Sequence, residues 1–294
     1  GGKCAGRDYW LHLRSCMDFL GFSPCKADPD VWMRTSKRED HTDYWEYVLL
    51  YVDDCLCIST HPEEIIRKEI GKYFLMKEAS IGPPDIYLGG KVSQVELETG
   101  EICWSFSSSQ YVQEACRNVR KYLNDRYNDK VQDRQYFMPK KAGAPLSNNY
   151  RPEIDVTPEL EPVDAAYYQS LIGILRWMVE LGRIDICVEV SMMSSCLALP
   201  REGHLMQVFH MFSYLEKNHN SEMVFDHSVP DIEHNDFPKQ DWSNTVYANE
   251  RGELKEEVPS NFPPSYGKEF VMRVYVDSDH AGDQVTRRSR TGFL

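Results

Sequence analysis

The chain has 294 residues, of which 41% are hydrophobic and 27% are charged, and its net charge at pH 7 is −13. This length fits one large domain or two ordinary ones, and the composition excludes collagen-like, low-complexity and disordered chains. No apolar run approaches 18 residues, so we expect no membrane span. The first residues contain no charged-then-apolar leader, so we expect no signal peptide there. Because the chain begins at Gly1 and ends at Leu294 within an apparent motif, we expect a fragment of a larger reading frame.

The negative charge is unevenly distributed along the chain. Residues 226–257 hold nine acids and three bases, and residues 151–164 hold five acids and one base. These two stretches, rich in Pro and Asn, are typical of solvated linkers. By contrast, residues 117–141 hold eight bases and three acids. The acidic total therefore does not exclude a polyanionic ligand.

The nine cysteines are scattered rather than spaced as metal ligands. Cys55 and Cys57 lie two apart on a predicted strand, so both face the same side, which is a packing pattern. We expect reduced thiols in an intracellular protein.

The first 106 residues predict helices and strands in alternation. A helix ending at Gly21 precedes a short strand near Val31, and residues 44–60 predict two strands. Pro62 predicts the start of a second helix, and residues 86–106 predict two strands about a turn. In the two helices, the side chains expected to face the core are Trp10, Leu13, Met17, Leu20, Ile65, Ile66, Ile70 and Phe74.

Helices predominate from residue 109 onwards. The stretch 109–124 predicts an amphipathic helix with bases on its polar side, and three more helices are predicted at 165–182, 185–199 and 202–218. A strand is predicted immediately before Asp277. This pattern predicts an α+β fold.

The stretch "YVLLYVDDCLCIST" places Asp53 and Asp54 between two apolar runs. An ordinary turn remains one explanation, because Asp is a favoured turn residue. However, the flanks are apolar almost throughout, and we expect strands that are covered on both faces. Two adjacent carboxylates at the end of a buried hairpin need a compensating cation, and a hard divalent ion suits oxygen ligands.

Six segments in order resemble the Pol polyprotein of copia-type LTR retrotransposons, over nearly the whole chain. "YVLLYVDD" is similar to the catalytic hairpin of reverse transcriptases, and "SSSQYVQEACRNVRKYL" is similar to their thumb helix. "YYQSLIGILRWMVELGRIDI" resembles the connection segment, and "YVDSDHAGD" resembles the start of a ribonuclease H domain. The resemblance implies five segments. They are a partial palm at 1–106, a thumb at 107–146, a helical connection at 147–225, an acidic linker at 226–267 and a truncated ribonuclease H-like start at 268–294.

The activity implied by this resemblance is RNA-directed DNA polymerisation with two divalent ions, Mg²⁺ or Mn²⁺. Asp53 would be the principal ligand of the hairpin, Asp54 its supporting partner, and Asp277 the first carboxylate of the ribonuclease H site. The residues implied to lie near nucleic acid are Tyr51, Val52, Gly89, Gly90, Arg117, Arg120 and Lys121.

The implied partners are an RNA template, a DNA primer, dNTPs, an RNA–DNA hybrid and the rest of the Pol polyprotein, with no membrane. The implied location is cytoplasmic, in a virus-like particle, with nuclear entry as a further expectation.

The match also has departures. A third palm Asp would precede Gly1, further ribonuclease H carboxylates would follow Leu294, and the family's Pro in "RPDI" is Ile184 here. We therefore expect no primer extension by the isolated chain. One alternative is a retroelement remnant that only binds nucleic acid or a protein partner. An unrelated metal-dependent hydrolase is a third interpretation, and the ordered downstream segments disfavour it.

Overall fold

This computed structural model describes residues 2–127, 135–226, 228, 244, 259–266, 276–278, 280–289 and 291–293. The chain divides into two compact units, which consist of Gly1–Ile81 with His227–Arg273 and of Gly82–Asp226 with Val274–Leu294. No helix within the described ranges has the length and apolarity needed to cross a bilayer.

The first unit is built on a four-stranded antiparallel sheet. Helix α1 (Ala5–Phe19) precedes it, and the strands follow in sheet order as β1 (Ser23–Pro24), β2 (Val31–Lys37), β3 (Asp43–Tyr51) and β4 (Asp54–Ile58). The buried core of this unit consists of Met17, Phe22, Trp32, Val48, Ile65 and Ile70.

Helix α1 contributes Met17 to this core, and its residues Leu13 and Cys16 are also buried. Trp10, which we expected in the core, is instead 41% exposed. Its indole lies under the Arg14 guanidinium and donates to Asp30 at 3.4 Å. Tryptophan can occupy such a surface position because its N–H needs a polar partner, which Asp30 provides here.

Among the described residues, only one face of the sheet is fully buried, so the expectation of strands covered on both faces was wrong. Along β3, the buried side chains alternate as Tyr44, Glu46 and Val48, which is the period of a strand with one covered face. On β4 the end residue Ile58 is 55% exposed. On the opposite face of β3, the side chains of Trp45 and Tyr47 are only partly covered.

The predicted helix after Pro62 forms, but it is not a continuous α-helix. A single α-turn, α2 (Pro62–Glu64), continues into a π-helical segment at Ile65–Glu69 and a 3₁₀ turn at Ile70–Lys72. Ile65 and Ile70 are both buried although they are five residues apart. That spacing suits the wider π turn, which aligns residues five apart, better than the α-helical period of 3.6.

In its described residues, the second unit combines a second antiparallel sheet with four α-helices. Its strands, in sheet order, are β5 (Ile86–Tyr87), β6 (Gly90–Glu96), β7 (Ile102–Ser107) and β8 (Met223–Phe225). Its helices are α3 (Ser109–Tyr127), α4 (Pro162–Glu180), α5 (Cys187–Ser194) and α6 (Glu202–Lys217).

The core of the second unit is a helical one. Apolar stripes of α3, α4 and α6 meet there, and the fully buried side chains include Val112, Tyr168, Leu175, Val208 and Phe212. Helix α5 ends earlier than the predicted range 185–199. Next to its end, the hydroxyls of Ser194 and Ser195 bond to backbone carbonyls four residues back, which competes with helix propagation.

The division between the units differs from the predicted boundary between residues 106 and 107. Strands β5 to β7 belong to the helical unit, because β7 pairs with β8, with Phe106 opposite Met223. A short ribbon of β9 (Val276–Ser278) and β10 (Thr291–Phe293) also belongs to that unit. Most of the predicted linker at 226–267, and most of the strand predicted before Asp277, lie outside the described residues.

Candidate active site at the β3–β4 hairpin

The two adjacent carboxylates lie at the tip of a tight hairpin. Strand β3 pairs with β4 so that Tyr51 lies opposite Asp54, and the loop consists of Val52 and Asp53 alone. The predicted turn was Asp53–Asp54, so the observed turn lies one residue earlier. Both carboxylates are exposed. Asp53 belongs to the loop, whereas Asp54 is the first residue of β4. One of the two adjacent carboxylates is therefore carried by a loop and the other by a strand.

Val52 adopts a backbone conformation that valine rarely takes. Its φ is +56°, in the left-handed region, and its side chain is 74% exposed. A positive φ at the first position of a two-residue hairpin loop is the pattern of a type II′ turn, where glycine is usual. A β-branched residue there costs about 1–2 kcal/mol. Since Val52 buries little surface in exchange, the tip is held in a strained state by the strands beneath it.

Tyr9 of α1, which was not among the predicted site residues, lies close enough to the tip to interact with the charge of Asp53. Burial raises the pKa of its hydroxyl, and the negative charge of Asp53 raises that pKa further. The ring also packs edge-on against Phe74, with centroids 5.8 Å apart. A signal was present, because Tyr9 precedes the buried residues Leu13 and Cys16 at helical spacing.

A partly buried ionic network centred on Glu46 lies beside the hairpin, in the same unit. Arg34 on β2 is directly opposite Glu46 on β3, and it also pairs with Glu69 at 2.7 Å. Glu46 is only 4% exposed and accepts further hydrogen bonds from Tyr44 at 3.0 Å and Ser59 at 2.9 Å. Burial alone would raise the pKa of Glu46, but the bonds from Arg34, Ser59 and Tyr44 outweigh it and lower that pKa.

The cysteines near the hairpin behave as core residues, as predicted. Cys55 and Cys57 both pack against the core of the first unit. Burial raises the pKa of the Cys55 thiol to about 11 and that of Cys57 to about 12, so both stay protonated at neutral pH. No disulfide joins the nine cysteines, all of which lie in described ranges.

Gly89 and Gly90, predicted to lie close to a primer, form the turn between β5 and β6 in the second unit. Leu88 and Gly89 both have positive φ, at 51° and 82°. Gly90 is required for a different reason, since an added Cβ would lie 2.1 Å from the Phe106 ring. The space at Gly89 is open. Close packing therefore explains Gly90, and backbone conformation explains Gly89.

The predicted basic face is found on α3, but its three bases are not equivalent. Arg117, Arg120 and Lys121 are all exposed, and they differ in their partners. Arg120 makes a two-pronged ion pair with Glu216 of α6, and this hydrogen bond raises the pKa of Arg120 and lowers that of Glu216. The charge of Arg120 is therefore already compensated within the unit.

Asp277 lies on β9, where it is opposite Gly292 of β10 in an antiparallel pair. Among the described residues, no three Asp, Glu, His or Cys side chains are grouped as a metal site. The hairpin offers two carboxylates, Asp53 and Asp54.

Sequence comparison relates the chain to transposon-encoded proteins. It is 26% identical, over 207 residues, to a transposon Ty5-1 protein of Saccharomyces cerevisiae, covering 69% of this chain and 58% of that protein. It is 23% identical over its whole length to the retrovirus-related Pol polyprotein from transposon TNT 1-94 of Nicotiana tabacum, of which it spans 18%. The chain is similar to retrotransposon proteins of the Pol type. No protein-family model and no solved structure matches it.

Proposed function

We propose that this chain is part of an RNA-directed DNA polymerase encoded by a copia-type retrotransposon. The observation that carries the proposal is the hairpin tip, where exposed Asp53 and Asp54 adjoin the strained residue Val52 in the segment "YVDD". Strain in a β-branched residue that gains little burial is more often kept for a functional site than for stability. Similarity to a Pol polyprotein supports the same assignment.

The donor set fits the divalent ion that this activity requires. Mg²⁺ prefers oxygen ligands and is usually held by one or two carboxylates together with substrate phosphates and water. Asp53 and Asp54 supply two carboxylates on an exposed tip, where a nucleotide can approach. When bound there, Mg²⁺ or Mn²⁺ would neutralise the triphosphate and lower the pKa of the primer hydroxyl.

The chain's own residues have distinct tasks in this proposal. Asp53 and Asp54 hold the negative charge that recruits the ion, and the network of Arg34 and Glu46 keeps the sheet that carries them rigid. The exposed side chains of Tyr51 and Val52 offer an apolar surface next to the carboxylates, against which a primer end would lie. These roles need a fixed backbone, because positioning contributes much of the rate in such transfers.

The finer assignments extend the proposal to other parts of the chain. The first unit would provide palm structure, α3 would serve as a thumb that contacts phosphates through Arg117 and Lys121, and Asp277 would belong to a ribonuclease H-like site. The exposure of the two bases supports the thumb assignment, because phosphate contacts require accessible cations. An RNA template, a DNA primer and dNTPs would be the ligands.

A second candidate is a protein that binds nucleic acid without catalysis. The exposed bases of α3 favour it, since they lie in the second unit and do not depend on the hairpin carboxylates. The two candidates differ in metal dependence, because catalysis requires the tip to bind a divalent ion and phosphate contacts by cations do not.

Binding of Mn²⁺ tests the proposed site directly. Titration of the chain with Mn²⁺, followed by loss of the free-ion electron paramagnetic resonance signal, should show a site that disappears when Asp53→Asn and Asp54→Asn are combined. Asp43→Asn is the matched control, because Asp43 is an exposed carboxylate at the other end of the same strand. Equal binding by the double variant would contradict the assignment.

A further inference from the structure

A contact far from the hairpin tip joins β3 to a late, proline-rich part of the chain. Trp45 lies on β3 between the buried residues Tyr44 and Glu46, so its side chain is on the opposite face of the sheet. Its indole N–H donates to the carbonyl of Pro264 at 2.9 Å. Its ring lies against Tyr266, with centroids 5.4 Å apart and planes inclined by 34°.

The segment that makes this contact has the sequence "PSNFPPSY", residues 259–266. It begins with a turn, in which the Phe262 N–H donates to the Pro259 carbonyl at 2.8 Å. Within it, Pro263 and Tyr266 are half-buried, whereas Phe262 is 58% exposed. Tyr266, whose ring lies against Trp45, is therefore less exposed than Phe262.

The contact joins an indole N–H to a backbone carbonyl and one aromatic ring to another. Proline has no backbone N–H, so a proline-rich segment forms few internal hydrogen bonds and its carbonyls, such as that of Pro264, can accept from an outside donor. Tryptophan supplies both an apolar face and a single N–H donor, and aromatic grooves are the usual receptors for such segments. A cavity of about 470 Å³ adjoins the contact, and its lining includes Arg38, Trp45, Tyr47 and Tyr266.

We propose that the Trp45 face of the β2–β3 hairpin is a docking site for a proline-rich segment, and that residues 259–266 of the same chain occupy it. The hydrogen bond from Trp45 to the Pro264 carbonyl and the contact between the Trp45 and Tyr266 rings carry this proposal. It does not depend on the chemistry proposed for Asp53 and Asp54.

Chymotrypsin provides a local test, because it cleaves after Tyr266, which is followed by Gly267. Trp45→Phe removes the N–H donor and keeps an aromatic ring, so the hairpin should still fold. We expect cleavage after Tyr266 to accelerate by about tenfold, since proteolysis follows the population of the locally open form. Trp10→Phe is the matched control, because Trp10 is an exposed tryptophan of the same unit that contacts Asp30 instead, and it should leave the rate unchanged.

A second substitution, Pro264→Ala, keeps the proposal testable even if Trp45→Phe changes the stability of the first unit. Pro264→Ala loosens the segment without altering the hairpin, and it should accelerate cleavage in the unaltered chain. Pro264→Ala keeps the backbone carbonyl that Trp45 contacts and acts only by giving the segment more freedom when it is undocked. In the Trp45→Phe chain it should add little, because a segment that is already undocked cannot be opened further. Equal acceleration by Pro264→Ala in both chains, or a wild-type cleavage rate in Trp45→Phe, would overturn the proposal.

Discussion

Arg34 and Glu46 face each other across the β2–β3 pair and are joined by two hydrogen bonds. The Arg34 Nε and Nη2 atoms donate to the same Glu46 oxygen at 3.0 and 2.8 Å. Arg34 also donates to the Leu20 carbonyl at 2.8 Å and lies over the Phe22 ring at 4.2 Å. The guanidinium therefore links β2 and β3 to the end of α1 through hydrogen bonds.

Removing the cation should be strongly destabilising. Arg34→Met leaves the Glu46 carboxylate buried with only neutral donors, and loss of one partner of a buried ion pair typically costs about 3–5 kcal/mol. Urea denaturation of the chain measures this loss as a lower free energy of unfolding. Lys37→Met is the control on the same strand, since its ion pair with Asp43 is exposed, and we expect little change there. An equal, small effect of both substitutions would contradict the role of Arg34.

The strain at Val52 predicts a stabilising substitution. Asparagine tolerates the left-handed region, so Val52→Asn should raise the free energy of unfolding by about 1 kcal/mol. Because Val52 is largely exposed, little packing is sacrificed in the exchange. Thermal unfolding followed by circular dichroism checks this, and a lower stability would show that the Val52 side chain makes contacts that outweigh its backbone strain.

The two glycines of the β5–β6 turn should respond differently to alanine. Gly90→Ala places a methyl group against the Phe106 ring, and such overpacking typically costs about 1–3 kcal/mol. Gly89→Ala meets no atoms but is held at φ +82°, which costs about 1–2 kcal/mol. Adding Phe106→Leu should recover stability in Gly90→Ala and not in Gly89→Ala, as measured by urea denaturation. Recovery in both would contradict the distinction.

The bases of α3 should contribute unequally to nucleic-acid binding. Removal of one cation that pairs with a phosphate reduces the slope of log affinity against log salt by about 0.9. Arg117→Ala with Lys121→Ala should therefore lower that slope by about 2, in filter binding to an RNA–DNA hybrid. Arg120→Ala should change it less, because Glu216 already compensates this charge. If Arg120→Ala lowers the salt slope as much as Arg117→Ala or Lys121→Ala does, the ion pair between Arg120 and Glu216 opens on binding.

Several elements follow from sequence periodicity alone. The hairpin at 44–58, the strands of 90–107 and the long helices α3, α4 and α6 have strong patterns and lie close to where they were predicted. The remaining features depend on contacts between parts of the chain that are distant in the sequence. Ile65 and Ile70 face the core through a π turn, and Gly90 is set by a ring 16 positions away in the sequence, at Phe106. No local pattern contains such information.

The candidate site, too, could be predicted only in part from the sequence. The acidic pair was visible in the sequence, and its turn was predicted one residue late, because the loop length depends on the pairing of Tyr51 with Asp54. Glu46 is one charge within an apolar strand, and only the register of β2 and β3 reveals its partner Arg34. The contact of Trp45 with Pro264 spans 219 positions and leaves no trace in local composition.

The measurement that tests the central claim most directly is primer extension by the product of the complete reading frame that encodes this chain. With an RNA template, a DNA primer, dNTPs and Mg²⁺, we predict extension that Asp53→Asn reduces by at least about a hundredfold, as expected when several kcal/mol of charge stabilisation are lost. Asp43→Asn, at the other end of β3, should leave the rate unchanged. Extension that survives Asp53→Asn at the wild-type rate would contradict the assignment of the hairpin as the catalytic metal site.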